Sequence, residues 1–235
     1  MPGASLHLAT FGDNLWLAIS ADRNSPADIG SIGTKKSIRL GLAAAAINCR
    51  LVPGTTVEDE AADVASSLKY LIDHAAALGI DPSRIVLMGH SAGAHLVALV
   101  GTDERYLKAA GLSFTSISGV IPVDGAAYDV PRQIAEGGNF MHDTYLPAFG
   151  EDPARQRALS PTFQAAAPNA PSFLLIHVQR KDGVAQNEAL GTRVARQGFP
   201  GDGRKGHMEI NRSLGDPSYA ATGVVDAWLK AVFGK

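Results

Sequence analysis

Apolar residues in this chain fall into short runs separated by turn-forming residues, with one long amphipathic stretch among them. The runs predict buried strands within residues 15–19, 43–51, 84–88, 116–123 and 172–178. Apolar positions three and four apart predict a helix over 57–78, which opens with a Thr56/Asp59 capping box. Further helices are predicted over 184–197 and 219–232. Strands that alternate with helices indicate an α/β fold, a mainly parallel sheet covered by helices on both faces.

Residues 124–171 do not follow either periodicity. This stretch holds Gly137-Gly138, several prolines and scattered aromatic residues, so it predicts a short irregular segment that roofs a site. Its candidate apolar wall and substrate-binding residues are Tyr128, Phe140, Met141 and Tyr145. Since no repeat or linker divides the chain, we expect one domain over residues 1–235.

Composition narrows the classes of partner. The chain has 235 residues, of which 46% are apolar and 19% charged, with a net charge of −2 and no large basic cluster. We therefore expect a small-molecule substrate and no nucleic acid. Cys49 is the single cysteine, which excludes an internal disulfide and a cysteine-rich zinc site. The sequence does not indicate an oligomeric state.

The targeting signals of export and membrane insertion are not seen. The first residues lack a basic region followed by an apolar one, and no run approaches the roughly 18 apolar residues that span a bilayer. As written the chain is expected to be cytoplasmic and without a membrane span. An exported protein whose signal had been removed would look the same.

The pentapeptide over residues 89–93, Gly-His-Ser-Ala-Gly, carries the strongest chemical signal. It follows an apolar run typical of a strand and precedes residues 94–100, which can continue as a buried helix. Strand, tight turn and helix in this order predict a nucleophile elbow with Ser91 as nucleophile and the Ala92 N–H as an oxyanion donor. The alternative is a glycine-rich turn that carries an idle serine.

A serine hydroxyl needs an imidazole to accept its proton and a carboxylate to orient that imidazole. The chain order serine, acid, histidine predicts Asp182, just past a strand, as the acid and His207 as the base. A turn aspartate and a surface-loop histidine are the alternatives at these positions. Asp124 and Asp129 follow an earlier strand and are the second choice for the acid.

Three other histidines lie close to the predicted site. His90 is the sequence neighbour of Ser91, so we expect it to support the site and contact substrate instead of acting as the base. His177 lies inside a predicted strand and is expected to pack or to border the site. His95 follows Ser91 by one helical turn, which favours a place in the core or behind the site.

Four segments together resemble a known family. Residues 49–53 (CRLVP), 81–85 (DPSRI), 89–96 (GHSAGAHL) and 206–209 (GHME) are similar to α/β-hydrolase esterases of the hormone-sensitive-lipase and feruloyl/acetyl-xylan-esterase type. The resemblance runs from about residue 43 to the end of the chain. It implies carboxylic ester hydrolysis without a metal or organic cofactor, with Ser91 as nucleophile, Asp182 as acid and His207 as base.

The chain departs from that family near its start. Family members carry a His-Gly-Gly-Gly-Trp type loop whose backbone gives the second oxyanion donor, yet residues 18–36 contain no His-Gly-Gly, and Cys49 replaces the usual tyrosine. Loss of one such donor costs a hydrolase about 10² to 10³ in rate. Residues 199–205 also look too short for a full strand before His207.

The sequence leaves two other functions open. An amide hydrolase similar to arylformamidases would keep the same three catalytic residues. A non-catalytic α/β-hydrolase-like protein would bind a ligand without turnover, which the missing oxyanion loop motivates.

Overall fold

A six-stranded sheet forms the centre of the described structure. The structure, a computed structural model, describes residues 15–21, 42–47, 49–194, 196–199 and 206–234. The strand order is β2-β1-β3-β4-β5-β6. The strands are β1 (Leu15–Ala21), β2 (Leu42–Ala46), β3 (Ile80–His90), β4 (Gly119–Val123), β5 (Phe173–Ile176) and β6 (Arg196–Phe199).

Strands β3 to β6 run parallel, which confirms the predicted mainly parallel sheet. Strand β1 runs antiparallel to both of its neighbours, β2 and β3. Leu15 pairs with Gly89 and Ala21 with Ile80. The first residue of β1 therefore lies at the edge where β3 ends, whereas its last residue lies at the opposite edge.

Helices cover both faces of the sheet. One face carries α1 (Val57–Asp73) and α3 (Ala92–Thr102), whose apolar residues pack together in one cluster. The other face carries α11 (Ala220–Phe233), preceded by α10 (His207–Ser213). Among the described residues outside 124–171, the other α-helices are α2 (Ala75–Leu78), α4 (Glu104–Ala109) and α9 (Lys181–Gly191), and a short 3₁₀ helix covers Phe114–Ser116.

The long amphipathic helix begins where the sequence predicts. Thr56 caps α1 and forms the capping box with Asp59, because its side chain accepts from the Asp59 N–H at 3.2 Å. The predicted single helix over 57–78 is divided, however. His74 caps the end of α1, and the separate short helix α2 continues to the left-handed Gly79.

Much of the stretch 124–171 is helical, so the prediction of an irregular conformation there is wrong. It contains α5 (Val130–Glu136), α6 (Gly138–Phe149), α7 (Pro153–Ala158) and α8 (Pro161–Gln164). Three of its prolines begin helices: one lies in the first turn of each of α5, α7 and α8, where its missing N–H has no intrahelical partner to lose. Pro147 lies inside α6 instead. Asp129 and Asp152 cap two of these helices with their side chains.

The segment before the last helices also differs from its prediction. The helix predicted over 184–197 is α9, which begins at Lys181 and ends at Gly191. Strand β6 follows directly over Arg196–Phe199. The sequence predicts that residues 199–205 are too short for a full strand before His207. The strand that precedes His207 ends at Phe199, the first residue of that segment.

We expect Leu68→Ala to lower the free energy of unfolding by about 2–5 kcal/mol, since it leaves a cavity in the centre of the core. Leu68 on α1 is fully buried among the residues of this face. Tyr70→Ala, on the same helix but 44% exposed, is the control and should cost under about 1 kcal/mol. Urea unfolding followed by circular dichroism measures both, and equal losses would contradict the packing described.

Candidate active site

Ser91 occupies a strained turn between β3 and α3. Its φ of 58° is a left-handed value that side chains seldom adopt. A side chain at position 89 could not be accommodated, because a Cβ on Gly89 would lie 2.2 Å from the carbonyl oxygen of Gly93. The Ser91 N–H donates to the Val123 carbonyl oxygen at 3.1 Å, which ties the turn to the end of β4. The predicted strand, turn and helix are all present.

Asp124 follows β4 directly and is fully buried. Its backbone is also left-handed, with φ 46°. The Asp124 N–H donates to the Ile176 carbonyl oxygen at 2.6 Å, and its Oδ1 accepts from the Val178 N–H at 3.0 Å. These bonds fix the carboxylate between the ends of β4 and β5.

His207 joins Asp124 to Ser91. Its Nδ1 lies 2.6 Å from Asp124 Oδ2, and its Nε2 lies 2.9 Å from Ser91 Oγ. An ionised carboxylate only accepts hydrogen bonds, so Nδ1 carries the proton and Nε2 is left to accept from the serine hydroxyl. This is the geometry of a serine whose proton can be removed.

The environment keeps Asp124 ionised. Burial by itself raises the pKa of this carboxyl group. The hydrogen bonds from His207 and from the Val178 N–H, with the nearby charge of Arg180, outweigh burial and hold the pKa of Asp124 below its usual range. The site therefore contains a carboxylate at neutral pH.

The structure places Asp124, and not the predicted Asp182, against His207. Asp182 lies in the first turn of α9. Its carboxylate is 3.6 Å from Arg180 Nε and accepts from Gln133 Nε2 at 3.4 Å. The predicted contact between Asp182 and His207 is thus wrong in this structure, and the second choice, Asp124, makes it.

Strand register explains the difference. His90 pairs with Val123 across β3 and β4, so the residues that follow, Ser91 and Asp124, lie side by side at one edge. Asp182 follows β5, the next strand along the sheet, and several residues separate it from the end of that strand. Asp129, the other second choice, caps α5 instead. The sequence signal that could have identified Asp124 as the acid is its position immediately after a fully buried strand.

Ser91 and His207 border a cavity of about 460 Å³, within the range of small-molecule sites. Most of its lining is apolar, and α6 contributes Tyr145, Ala148 and Phe149. Glu60, Thr144 and Arg180 add polar groups to the wall. The remaining apolar lining comes mainly from Leu51, Val52, Val57, Leu96, Ala126 and Ala127.

The predicted wall residues have different outcomes. Tyr145 lies in the cavity wall, as predicted. Tyr128 is fully buried in the core, where burial raises the pKa of its hydroxyl, so its prediction as a substrate-binding residue is wrong: a buried ring beside Gly125 is not in the cavity lining. Phe140 and Met141 belong to α6, but their side chains lie outside the described part of the structure.

Two of the histidines near Ser91 also have clear positions. His90 is 3% exposed, its Nε2 lies 2.8 Å from the His207 carbonyl oxygen, and it is not among the cavity-lining residues. Its predicted contact with substrate is therefore wrong. His95 lines the cavity wall and meets Phe149 edge to face at 5.1 Å. Burial lowers the pKa of His95 to about 4, so this ring is neutral at pH 7.

The third histidine, His177, is buried beyond β5, and a ring nitrogen lies 3.0 Å from the Val178 carbonyl oxygen. His177 is therefore a packing residue, which is one of the two roles predicted for it.

The described residues contain no group of three or more His, Cys, Asp or Glu side chains that could hold a metal ion. Within the same part of the chain no helix is both long and apolar enough to cross a membrane. The sequence expected to hold the second oxyanion donor lies within residues 18–36, of which 22–36 are outside the described residues.

The fold and the arrangement of Ser91, His207 and Asp124 define the class of protein as an α/β-hydrolase. Residues 18–190, well over half of the chain, match the BD-FAE family model. The chain belongs to the BD-FAE family. The predicted resemblance to α/β-hydrolase esterases is thereby confirmed, while its claim about the first 42 residues falls mostly outside the described part.

Curated relatives are esterases that match over part of their length. The chain is 29% identical over 163 residues to the probable carboxylic ester hydrolase LipM of Mycobacterium tuberculosis, which is 65% of this chain and 37% of the relative. It is 36% identical over 73 residues to the isoprenylcysteine alpha-carbonyl methylesterase ICME of Arabidopsis thaliana, 30% of this chain and 17% of that protein. The chain thus spans well under half of either relative.

Solved structures confirm the fold. A truncated carbohydrate esterase from gut microbiota superposes with a TM-score of 0.68 at 18% identity, over 88% of this chain and 79% of that one. Esterase B from Lactobacillus rhamnosis gives a TM-score of 0.67, also at 18% identity, over 84% of this chain and 69% of that one. At this identity the likeness establishes the architecture alone.

We expect Gly89→Ala to destabilise the protein by about 1–3 kcal/mol or more, because the added Cβ meets backbone atoms that cannot turn aside. Gly223→Ala is the matched control: it lies in α11, and a Cβ there has nothing within 4 Å. In a helix this change should stabilise by up to about 1 kcal/mol. Thermal unfolding compares the two, and a neutral Gly89→Ala would refute the tight elbow.

Proposed function

We propose that this protein hydrolyses carboxylic esters of small acyl or aryl groups through a serine nucleophile. The observation that carries the proposal is the continuous contact from Asp124 through His207 to Ser91, at 2.6 and 2.9 Å, beside a mainly apolar cavity. The esterase names of the relatives point to the same reaction.

In the first half of the reaction Ser91 Oγ attacks the ester carbonyl carbon while its proton passes to His207 Nε2. The carbonyl oxygen becomes an oxyanion, and Asp124 stabilises the imidazolium that forms. When the tetrahedral intermediate collapses, the ester C–O bond breaks. The alcohol leaves with the proton held by His207, and the acyl group remains on Ser91.

The second half repeats these steps with water. His207 removes a proton from water, whose oxygen attacks the acyl carbon, and a second oxyanion forms. Collapse breaks the bond to Ser91 Oγ, which regains its proton from His207 as the acid is released. Every proton and bond is accounted for by the substrate, one water and these side chains, so the proposal requires no cofactor.

The oxyanion requires backbone donors close to Ser91. Ala92 is exposed in the cavity wall and is the first residue of α3, where backbone N–H groups have no partner within the helix. The positive end of the helix dipole also favours negative charge there. We assign the Ala92 N–H as the first donor and leave the second without a residue.

The cavity supports a modest acyl or aryl group as the occupant. Most of its wall is apolar, and α1, α3 and α6 all contribute apolar side chains to it; apolar burial gains about 25 cal/mol for each Å² removed from water. The volume of about 460 Å³ suits a small ester better than a long chain or a polymer.

We expect Ser91→Ala to lower kcat/KM for p-nitrophenyl acetate by at least about 10³-fold, because it removes the hydroxyl that His207 Nε2 contacts at 2.9 Å. Ser66→Ala, exposed on α1, is the control and should match the wild type. A parallel assay with an N-formyl aryl amide separates ester from amide hydrolysis. Equal ester rates for wild type and Ser91→Ala would reject the proposal, and tight ligand binding without turnover would favour the non-catalytic alternative.

We expect Asp124→Asn to lower kcat by roughly 10² to 10⁴-fold, because an amide no longer holds the imidazole in the useful tautomer. Asp182→Asn, the matched carboxylate beside Arg180, should lower kcat by less than about 10-fold. Steady-state kinetics with one ester measures both variants. The opposite ranking would return the role of the acid to Asp182.

A further inference from the structure

We propose that His90 is a positioning residue that holds the backbone of His207 so that its ring reaches Ser91. The inference rests on the proposed function, because it concerns how the base of that reaction is aimed. It adds a structural role for a residue that is not part of the cavity lining.

The contact is direct and buried. His90 Nε2 lies 2.8 Å from the His207 carbonyl oxygen, and only 3% of His90 is exposed. A carbonyl oxygen can only accept, so Nε2 carries the hydrogen and donates it. The two imidazole rings lie 4.6 Å apart between centroids with 32° between their planes, so His90 also limits how the His207 ring can tilt.

His207 needs such a restraint because its own helix supplies little at this end. It is the first residue of α10, whose N-cap Gly206 makes no side-chain capping bond. The next residue, Met208, is 49% exposed. The buried anchors are Ile210, one turn later in α10, and Leu214, the residue that follows the helix.

Adjacent residues of β3 and the elbow therefore hold the base at two points. His90 holds the main chain of His207 at 2.8 Å, and Ser91 meets its side chain at 2.9 Å. Because His90 ends a strand that is paired with β4, the donor is fixed to the same sheet edge as Ser91 and Asp124. A displacement of about 1 Å at a reacting group can cost on the order of 10²-fold in rate.

Two amide variants of His90 separate hydrogen bonding from simple packing. The Nε2 of glutamine can take the place of the imidazole Nε2, whereas the shorter side chain of asparagine does not reach the His207 carbonyl. We expect His90→Asn to lower kcat by roughly 10- to 100-fold with KM within about twofold of wild type. His90→Gln should stay within about threefold of wild type in kcat. His74→Asn, exposed at the end of α1, is the control for the substitution itself.

A second readout does not depend on turnover. The proton on His207 Nδ1 that faces Asp124 should give a far-downfield signal in the NMR spectra of wild type and His90→Gln. This signal should be absent from the spectrum of His90→Asn. If His90→Asn fails to fold, His90→Met fills the space without a donor and replaces it in both measurements.

The outcomes are distinct for the two proposals. If the wild-type protein shows no ester hydrolysis that depends on Ser91, the proposed function is rejected. The NMR comparison still decides the role of His90 in that case. An active wild type with equal kcat and equal signal in the Asn and Gln variants overturns the inference. Equal losses in both variants also overturn it, because the donor would not be what His90 contributes.

Discussion

The buried carboxylate of Asp124 is the constraint on which the site depends. A charge taken out of water must be paired and hydrogen-bonded, and here the partners come from three places: the Val178 N–H, the His207 ring and the nearby Arg180 charge. Satisfying this one group fixes the end of β4 against the end of β5. It also draws the start of α10 to the edge where Ser91 lies.

Backbone strain is concentrated at the same edge. The non-glycine residues with positive φ in the described chain are Ser91, Asp124 and Ala127. Each such residue costs on the order of 1–3 kcal/mol and persists only when its surroundings determine it. Buried strands and the helices packed on both faces of the sheet provide those surroundings. The sheet thus holds a serine and a carboxylate in positions that an isolated loop would not keep.

The sequence predicts the elements better than their contacts. The elbow, the Thr56 cap and the strands are local patterns, so each could be read from neighbouring residues. The choice between Asp124 and Asp182 depends on strand register, because both follow strands at one edge and both lie between Ser91 and His207 in the chain, so chain order does not separate them. The sequence does not predict the helices of residues 124–171, because the prolines in their first turns resemble helix-breaking residues. The role of His90 could not be predicted from neighbouring residues, because it depends on a contact with His207, 117 positions later in the chain.

In the proposed mechanism Asp124, through His207, makes Ser91 nucleophilic. The rate at which a fluorophosphonate probe labels the protein, followed by intact-mass measurement and peptide mapping, tests it most directly, because labelling needs only the nucleophile and its activation. We expect one adduct, on Ser91, that forms at least about 10²-fold more slowly in Asp124→Asn. Labelling elsewhere, or at the same rate in both proteins, would contradict it.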